Sequence, residues 1–466
     1  MKKLTFALYF GNRGFFPETL IASAREDMTK AVTDAGHEYL IPDIGMTKYG
    51  AVETNEDGMK YANWLKEHDG EYDGVILSLP NFGNENGAVS ALKACGVPIL
   101  IQAYPDEIGH MGFEERRDAF CGKFSIMDVF YQFQVPFTLF EPHVVNPTSD
   151  IFKTHIMKFA GVCRVVAGMK NLVIGAIGAR TTDFKTVRYD ELTLQRYGIT
   201  TETYDLSELF ARVDQLNSDD TDVVAKKAFF IGYADWSKVP EDKLITISKV
   251  AVAIDQMIET YHLDAIALRC WSELEKTLGV APCVILSELN ERHIVGACEL
   301  DVTNAIPMVA LSLASENSAT VLDWNNNYGE DPNKCILFHC GPVANSLMTG
   351  PGEIIDHKMF AKSYGAGCGF GCDVGRIAAK PMTYCSSKTE NGKLELYLVE
   401  GEFNVEQIEA GFFGTGGVAK IEGLQGKLRS IGKQGYKHHV AITSDHVEEI
   451  LREAFETYLN YEMTEI

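Results

Sequence analysis

Nowhere does this chain carry a continuous apolar stretch long enough to span a bilayer, so no membrane-spanning helix is expected. Positive charge is also scarce: 42 Lys and Arg stand against 65 Asp and Glu, for a formal net charge of −23. Nucleic-acid binding needs clustered cations, so a polyanion partner is excluded. A small neutral or polar substrate fits better, with the acidity keeping a cytosolic oligomer soluble. Spaced cysteine pairs are missing too. Of 11 cysteines, only Cys368 and Cys372 are close in sequence, and no second pair lies near them. That excludes a structural zinc site there. The others read as small buried hydrophobes in a reducing compartment. The Gly-rich run at 365–371 follows no clear strand and lacks a closing Gly-Lys-Ser/Thr, so it reads as a tight turn and not a phosphate loop. There is no Gly-x-Ser-x-Gly elbow.

What is present is a folded, multi-domain composition. At 466 residues the chain is too long for one ordinary core. The short apolar run at the start is closed by Arg13 and reads as a first strand, not a signal peptide, which predicts a cytoplasmic protein. Strand and helix signals alternate from there. Strands are predicted at 4–10, 74–79 and 97–102, with a helix over 17–35 ending at Gly36. The stretch 124–169 is expected to be mostly helical. The pattern restarts with strands at 172–178, 199–204 and 264–269 and helices at 189–197 and 243–260. Short apolar strands separated by helices predict parallel sheets covered on both faces. From about residue 321 glycine becomes frequent and short alternating runs appear, predicting an antiparallel sandwich or barrel. An amphipathic helix over 444–461 closes the chain, with Asp445 near its start. The fold class is therefore α/β: two Rossmann-like domains, 1–165 and 166–320, then a β-rich domain at 321–466.

Four residues could carry chemistry: Glu299, Asp323, His339 and His439. Two carboxylates and two imidazoles make a mixed O/N set that suits a divalent cation such as Mn²⁺. Glu299 precedes a helix-like run at 303–314, interrupted by Pro307. Asp323 and His339 each end an apolar run, where a rigid strand presents a side chain at an opening. His438 and His439 precede an apolar strand, on which only one can point inward. Taken singly, such residues are more often helix-dipole partners, turn caps or core histidines, and no compact signature such as His-Glu-x-x-His ties them together. Arg269 and Trp271 follow a strand. Trp271 could stack on a sugar and Arg269 could grip an anion, or the pair could be core and ion pair. Arg180 follows a Gly-rich strand end, and Asn81 follows the strand ending near Leu79.

The segment Gly-Ala-Cys-Glu-Leu-Asp-Val-Thr-Asn-Ala at 296–305, with Val-Leu-Asp-Trp-Asn at 321–325, resembles the metal-binding core of the L-fucose and L-arabinose isomerase superfamily. That family places a Glu in an Ala-Cys/Thr-Glu-x-Asp motif and an acidic residue some two dozen positions on. Here Asp323 lies 24 positions after Glu299, His339 a further 16 and His439 a further 100, which matches the family's histidines and selects His439 over His438. The segments 268–274, 279–283, 116–123 and 175–180 are similar as well. The first two of these look like the shorter, fucose-isomerase-like branch, which includes sulfoquinovose isomerase-like proteins. The chain is shorter than the classical fucose isomerases, so its sugar need not be fucose. The resemblance implies an aldose–ketose isomerase working through a cis-enediol. Glu299 and Asp323 would be the acid/base pair and also metal ligands, with His339 and His439 completing the set. It further implies a homo-oligomer, a hexamer in the family, with the active site near a subunit interface. The alternatives are a sulfoquinovose isomerase in particular, a non-catalytic sugar-binding protein, or an enediolate-forming metal lyase or aldolase.

Overall fold

The computed structural model describes residues 3–181 and 183–466; Met1, Lys2 and Thr182 lie outside it. The chain forms two compact units. One holds Met1–Ala167 with Arg452–Asn460, the other Gly168–Leu451 with Tyr461–Ile466.

In the first unit, Thr5–Phe10, Glu38–Leu40, Gly74–Leu79 and Ile99–Ala103 form a parallel sheet, with the first strand between the second and the third. Every residue of Gly74–Leu79 is buried, as expected of a strand sheathed on both faces. The helix Leu20–Asp34 stops where Gly36 takes φ +87°, a left-handed turn that glycine adopts without steric cost. The last strand starts after Pro98, which has no N–H to give a ladder. Helices Ala119–Gln132 and Asp150–Met169 supply most of the predicted helical stretch.

The second unit opens with another parallel sheet in the same relative order: Thr200–Tyr204, Val173–Ile177, Ala265–Leu268, Val295–Ala297. The shared topology accompanies no internal repeat in the sequence. A barrel follows. Its ring runs Pro381–Glu390, His439–Thr443, Ala319–Asn327, Lys334–His339, Thr415–Lys420, Lys393–Asn404, and closes because Pro381–Glu390 also pairs with Lys393–Asn404. Closure leaves no open edge in the ring. Leu322, Leu337, Tyr384, Tyr397 and Val440 are among the residues that fill its core.

The helix Val302–Ser315 ties sheet to barrel, packing on Ala265–Leu268 and Val295–Ala297 on one side and on Pro381–Glu390 and His439–Thr443 on the other. It is almost wholly buried and runs through Pro307 without interruption, unlike the sequence expectation. Two further expectations change. The strand carrying Asp323 does not end there but continues to Asn327. The closing helix begins at Glu448, not 444, and passes into wider turns over Glu453–Leu459. Asp445 stays outside it, its carboxylate accepting from the N–H of His446. Among the described residues no helix is long and apolar enough to cross a membrane.

Candidate metal centre and sugar cleft

Glu299 follows the carboxyl end of the parallel strand Val295–Ala297, and Trp271 follows that of its neighbour Ala265–Leu268. Side chains beyond the carboxyl ends of parallel strands are where open α/β sheets build their sites. The turn that presents Glu299 is unusual: Glu299 and Leu300 take φ +60° and +61°, a left-handed conformation that costs non-glycine residues on the order of 1–3 kcal/mol each. Asp301 then caps the helix Val302–Ser315, accepting from the N–H of Asn304 at 3.1 Å.

Three neighbouring barrel strands supply the rest. Asp323 and His439 are direct partners across the pairing of Ala319–Asn327 with His439–Thr443, so their side chains share a face. Phe338 partners Asp323 from the other side, and His339 follows at the end of its strand. Sequence separations of 16 and 100 positions thus collapse onto one patch, and all four predicted ligands come together.

His439 Nε2 lies 3.0 Å from Glu299 Oε2 and 3.4 Å from Asp323 Oδ1. Its Nδ1 lies 2.8 Å from Asp301 Oδ2 and donates to it. In a neutral ring that leaves only a lone pair on Nε2, facing two carboxylate oxygens. Acceptors aimed at one another demand a proton or a cation between them. Asp323 Oδ1, His339 Nε2 and His439 Nε2 are all buried without a hydrogen-bond partner. The donor atoms of Glu299, His339 and His439 lie within 4.8 Å of one another, as do those of Asp323, His438 and His439. These orphaned atoms fit a divalent cation with mixed oxygen and nitrogen ligands.

Electrostatics describe the same cluster as filled by protons when no cation is there. Burial would lower His439, but its bonds to Asp301 and Glu299 raise it to about 10. Burial opposes protonation of His339 too, yet Cys340, Asp323 and Glu299 raise it to about 9. Burial pushes the Glu299 carboxyl up, and the bond and charge of His439 more than reverse this. Asp323 stays raised by burial. A ligating imidazole must be neutral. Cation binding at pH 7 is therefore expected to release about two protons, and affinity should rise with pH until the imidazoles near 9 and 10 are empty. Calorimetry in buffers of different ionisation enthalpy reads this directly; binding with no proton release would contradict it.

Asp301 was not singled out as a site residue, although the Glu-x-Asp spacing contained it. It is fully buried and accepts from His439, the side chains of Thr303 and Asn304, and the Lys437 ammonium at 2.7 Å. Burial would raise its carboxyl, but Lys437 and His439 hold it well below the usual range. A carboxylate fixing the far nitrogen of a ligand histidine is a recurring support for metal sites.

The centre opens into a cleft of about 460 Å³, walled by Trp271, Phe184, Phe338, Phe360, Phe412 and Phe413. That lies within the roughly 300–1,000 Å³ of small-molecule sites. Trp271 lines it and donates its indole N–H to Glu299 Oε1 at 3.1 Å. Trp271→Phe keeps an apolar wall but removes that donor. A bond to a charged acceptor is worth about 1.5–3 kcal/mol, so kcat/KM should fall about 10- to 100-fold with the fold unchanged. Unchanged kinetics would show that the bond does not position Glu299.

The other predicted contacts are placed differently. Arg269 does not line the cleft: its Nε donates to the Trp271 carbonyl at 2.7 Å, and its Nη2 lies 3.5 Å from Glu273. It holds the Trp271 loop. Arg180 also follows the carboxyl end of a strand, Val173–Ile177, in the same sheet, but is not among the lining residues. Asn81 belongs to the first unit, buried, donating to Asn12 Oδ1 at 2.7 Å and accepting from the N–H of Gly83. His438 departs from the alternation expected of a strand. It precedes the strand's first residue, so its ring also faces the cleft, 4.5 Å centre-to-centre from that of His439. The buried His357 and the exposed Asn325 join the lining as well, with no sequence pattern to mark them.

A cation-ready pair of carboxylates beside a sugar-sized aromatic cleft is suited to moving protons next to a carbonyl, and with this fold it defines an aldose–ketose isomerase. Residues 7–170 match the fucose/sulfoquinovose isomerase N-terminal domain, and residues 337–466 match the L-fucose isomerase C-terminal domain. The chain belongs to the fucose isomerase-like family. Its similar relatives include a sulfoquinovose isomerase of Priestia megaterium, 26% identical over 82% of this chain and 83% of that one. Another, from Alkalicoccus urumqiensis, is 22% identical over 84% and 85%.

Proposed function

We propose that this isomerase converts sulfoquinovose to its ketose, sulfofructose, with Mn²⁺ as the divalent cation. The observation that carries the site assignment is the convergence of Glu299, Asp323 and the His439 lone pair on one buried point. The substrate assignment is supported by the relatives' names and by the N-terminal family match. In this reading the enzyme is a cytoplasmic homo-oligomer, a hexamer by likeness to the family, with its active site near a subunit interface.

The reaction moves one proton between C2 and C1 of the open-chain sugar and one between the two oxygens. Glu299 and Asp323 are the acid/base pair: one carboxylate takes the proton from C2 and returns it to C1 of the enediol. Trp271 fixes Glu299 Oε1 and offers its ring to the sugar. Asp301 holds His439 in the tautomer that leaves Nε2 free to ligate. The aromatic walls exclude water, so the enediol is reprotonated by the carboxylate and not by solvent. A bound divalent cation would supply Lewis acidity at the carbonyl and its neighbouring hydroxyl.

A sulfonate needs a cationic partner. Among the described residues lining the cleft there is no Lys or Arg. At the carboxyl edge of the parallel sheet the predicted cations are Arg269, bonded to Trp271 and Glu273, and Arg180, whose Nη1 donates to the Thr181 carbonyl at 3.3 Å. In this reading the sulfonate is held by Arg180, beyond the carboxyl end of Val173–Ile177. A panel of sulfoquinovose, L-fucose, L-arabinose, D-arabinose, D-ribose and L-rhamnose, followed by NMR with Mn²⁺, tests this. Sulfoquinovose should be turned over best, and Arg180→Ala should raise its KM about tenfold or more, the scale of a charged hydrogen bond, without affecting neutral sugars. A neutral sugar turned over best would overturn the substrate assignment, and C–C cleavage products would move the reading to an aldolase.

A further inference from the structure

Five cysteines that are scattered in sequence gather beside the cleft. Cys283 Sγ lies 3.4 Å from Cys340 Sγ, and Cys298 Sγ lies 3.3 Å from Cys270 Sγ. With Cys283, Cys298 and Cys372 hold the Cys340 thiol well below its usual range. Nδ1 of His339 is 3.2 Å from Cys340 Sγ and accepts from the Cys340 backbone N–H at 2.9 Å. The ligand atoms of Cys298, His339 and Cys340 lie within 4.8 Å of one another. All five thiols are free, and Cys270, Cys283 and Cys340 reach the cleft surface, which gives a path of entry.

Small-hydrophobe packing accounts for a single buried cysteine. It does not account for the acids around this cluster. Glu275 is 1% exposed, and neither carboxylate oxygen has a hydrogen-bond partner. Burial, reinforced by Cys340, pushes its carboxyl up to about 8. Asp373, next to Cys372, is fully buried with Oδ1 unpartnered, while Oδ2 accepts from Ser287 at 3.0 Å. Buried carboxyl groups are ordinarily paired or hydrogen-bonded. Here they surround thiols, with no ion pair to either acid among the described residues.

We propose a second cation site, in which the thiolates of Cys298 and Cys340 and Nδ1 of His339, with Cys283 as the next sulfur, hold one thiophilic cation of the Zn²⁺ and Cd²⁺ class. Soft sulfur ligands select such ions, whereas the Glu299 and Asp323 set suits a harder one. Sulfurs sharing a tetrahedral ion at about 2.3 Å stand about 3.8 Å apart, so the Cys283–Cys340 contact needs to open by only a few tenths of an ångström. Each coordinating thiol gives its S–H proton to solvent as the sulfur–metal bond forms. The site is not independent of the first. A neutral imidazole has one lone pair, so an ion on Nδ1 displaces the Cys340 N–H, leaves a proton on Nε2 and withdraws His339 from the neighbouring set. A thiophilic cation would thus weaken Mn²⁺ binding from within the same cleft.

The test is a Cd²⁺ titration of the metal-free full chain under a phosphine reductant, in a Cys121→Ser/Cys368→Ser background that removes two more exposed thiols. The readout is the ultraviolet charge-transfer band of cadmium thiolate. The band should saturate at one equivalent, persist in Glu299→Gln/Asp323→Asn, and weaken in apparent affinity about tenfold or more in Cys298→Ser/Cys340→Ser. Mn²⁺ affinity, read by electron paramagnetic resonance, should fall once Cd²⁺ is bound. No band at one equivalent, or a band indifferent to Cys298→Ser/Cys340→Ser, overturns the site. If that double variant does not fold, Cys298→Ala alone should still dim the band, and an undimmed band overturns it equally.

Discussion

Glu299→Gln and Asp323→Asn should each lower kcat by about 10²- to 10⁴-fold, the range that a positioned acid or base contributes. An amide keeps the size and one acceptor oxygen of each side chain but cannot take a proton from carbon. Both residues are also cation ligands in this account, so each variant should bind Mn²⁺ more weakly as well. The two effects separate by experiment: saturating Mn²⁺ restores a variant that has lost only metal affinity, and it should restore neither of these. Far-ultraviolet circular dichroism and the unfolding midpoint control for the fold. Turnover within a few-fold of wild type in either variant, at saturating metal, would remove that residue from the acid/base pair.

Asp301→Asn carries the second large effect, and it divides into two parts. Among the described residues this carboxylate is the only acidic partner placed against the Lys437 ammonium, which is 5% exposed. Breaking a buried ion pair from one side costs about 3–5 kcal/mol, because the remaining ammonium keeps the Thr303 hydroxyl but no counter-charge. The unfolding midpoint should drop accordingly. The same substitution loosens the hold on His439 Nδ1, and loss of such a support lowers metal affinity about 10- to 100-fold. Adding Lys437→Met removes the stranded charge. The double variant should recover most of the stability and none of the metal affinity. Recovery of both would mean that Asp301 acts only through the ion pair.

These three carboxylate positions also show what the sequence made legible. The strand predicted at 74–79 is the observed Gly74–Leu79, because a run buried on both faces and bounded by Gly and Pro has few other readings. The switch to a barrel near residue 321 was visible in its alternating runs, and the strand carrying Asp323 begins at Ala319. The four candidate ligands are picked out through motif spacing, since nothing local marks them as neighbours. What brings Asp323 opposite His439 is strand register, which depends on closure of the whole barrel and leaves no trace within either segment. The left-handed turn at Glu299 and Leu300 was equally hidden, because neither residue type favours φ above zero. Asp301 and Lys437 flank predicted ligands in the sequence, yet 136 positions separate them, and only packing through the helix Val302–Ser315 reveals the ion pair. The cysteine cluster illustrates the same limit: each thiol sits in an ordinary apolar context, and only the fold gathers them.

The central claim is that a divalent cation and two carboxylates at this centre move a proton between C1 and C2. Its most direct test is NMR of sulfoquinovose with the metal-stripped enzyme in D₂O, before and after Mn²⁺. The account predicts no conversion without metal. On addition it predicts ketose, with deuterium at C1 only to the extent that the shielded carboxylate exchanges its proton with solvent before returning it. Conversion that survives chelation would contradict it.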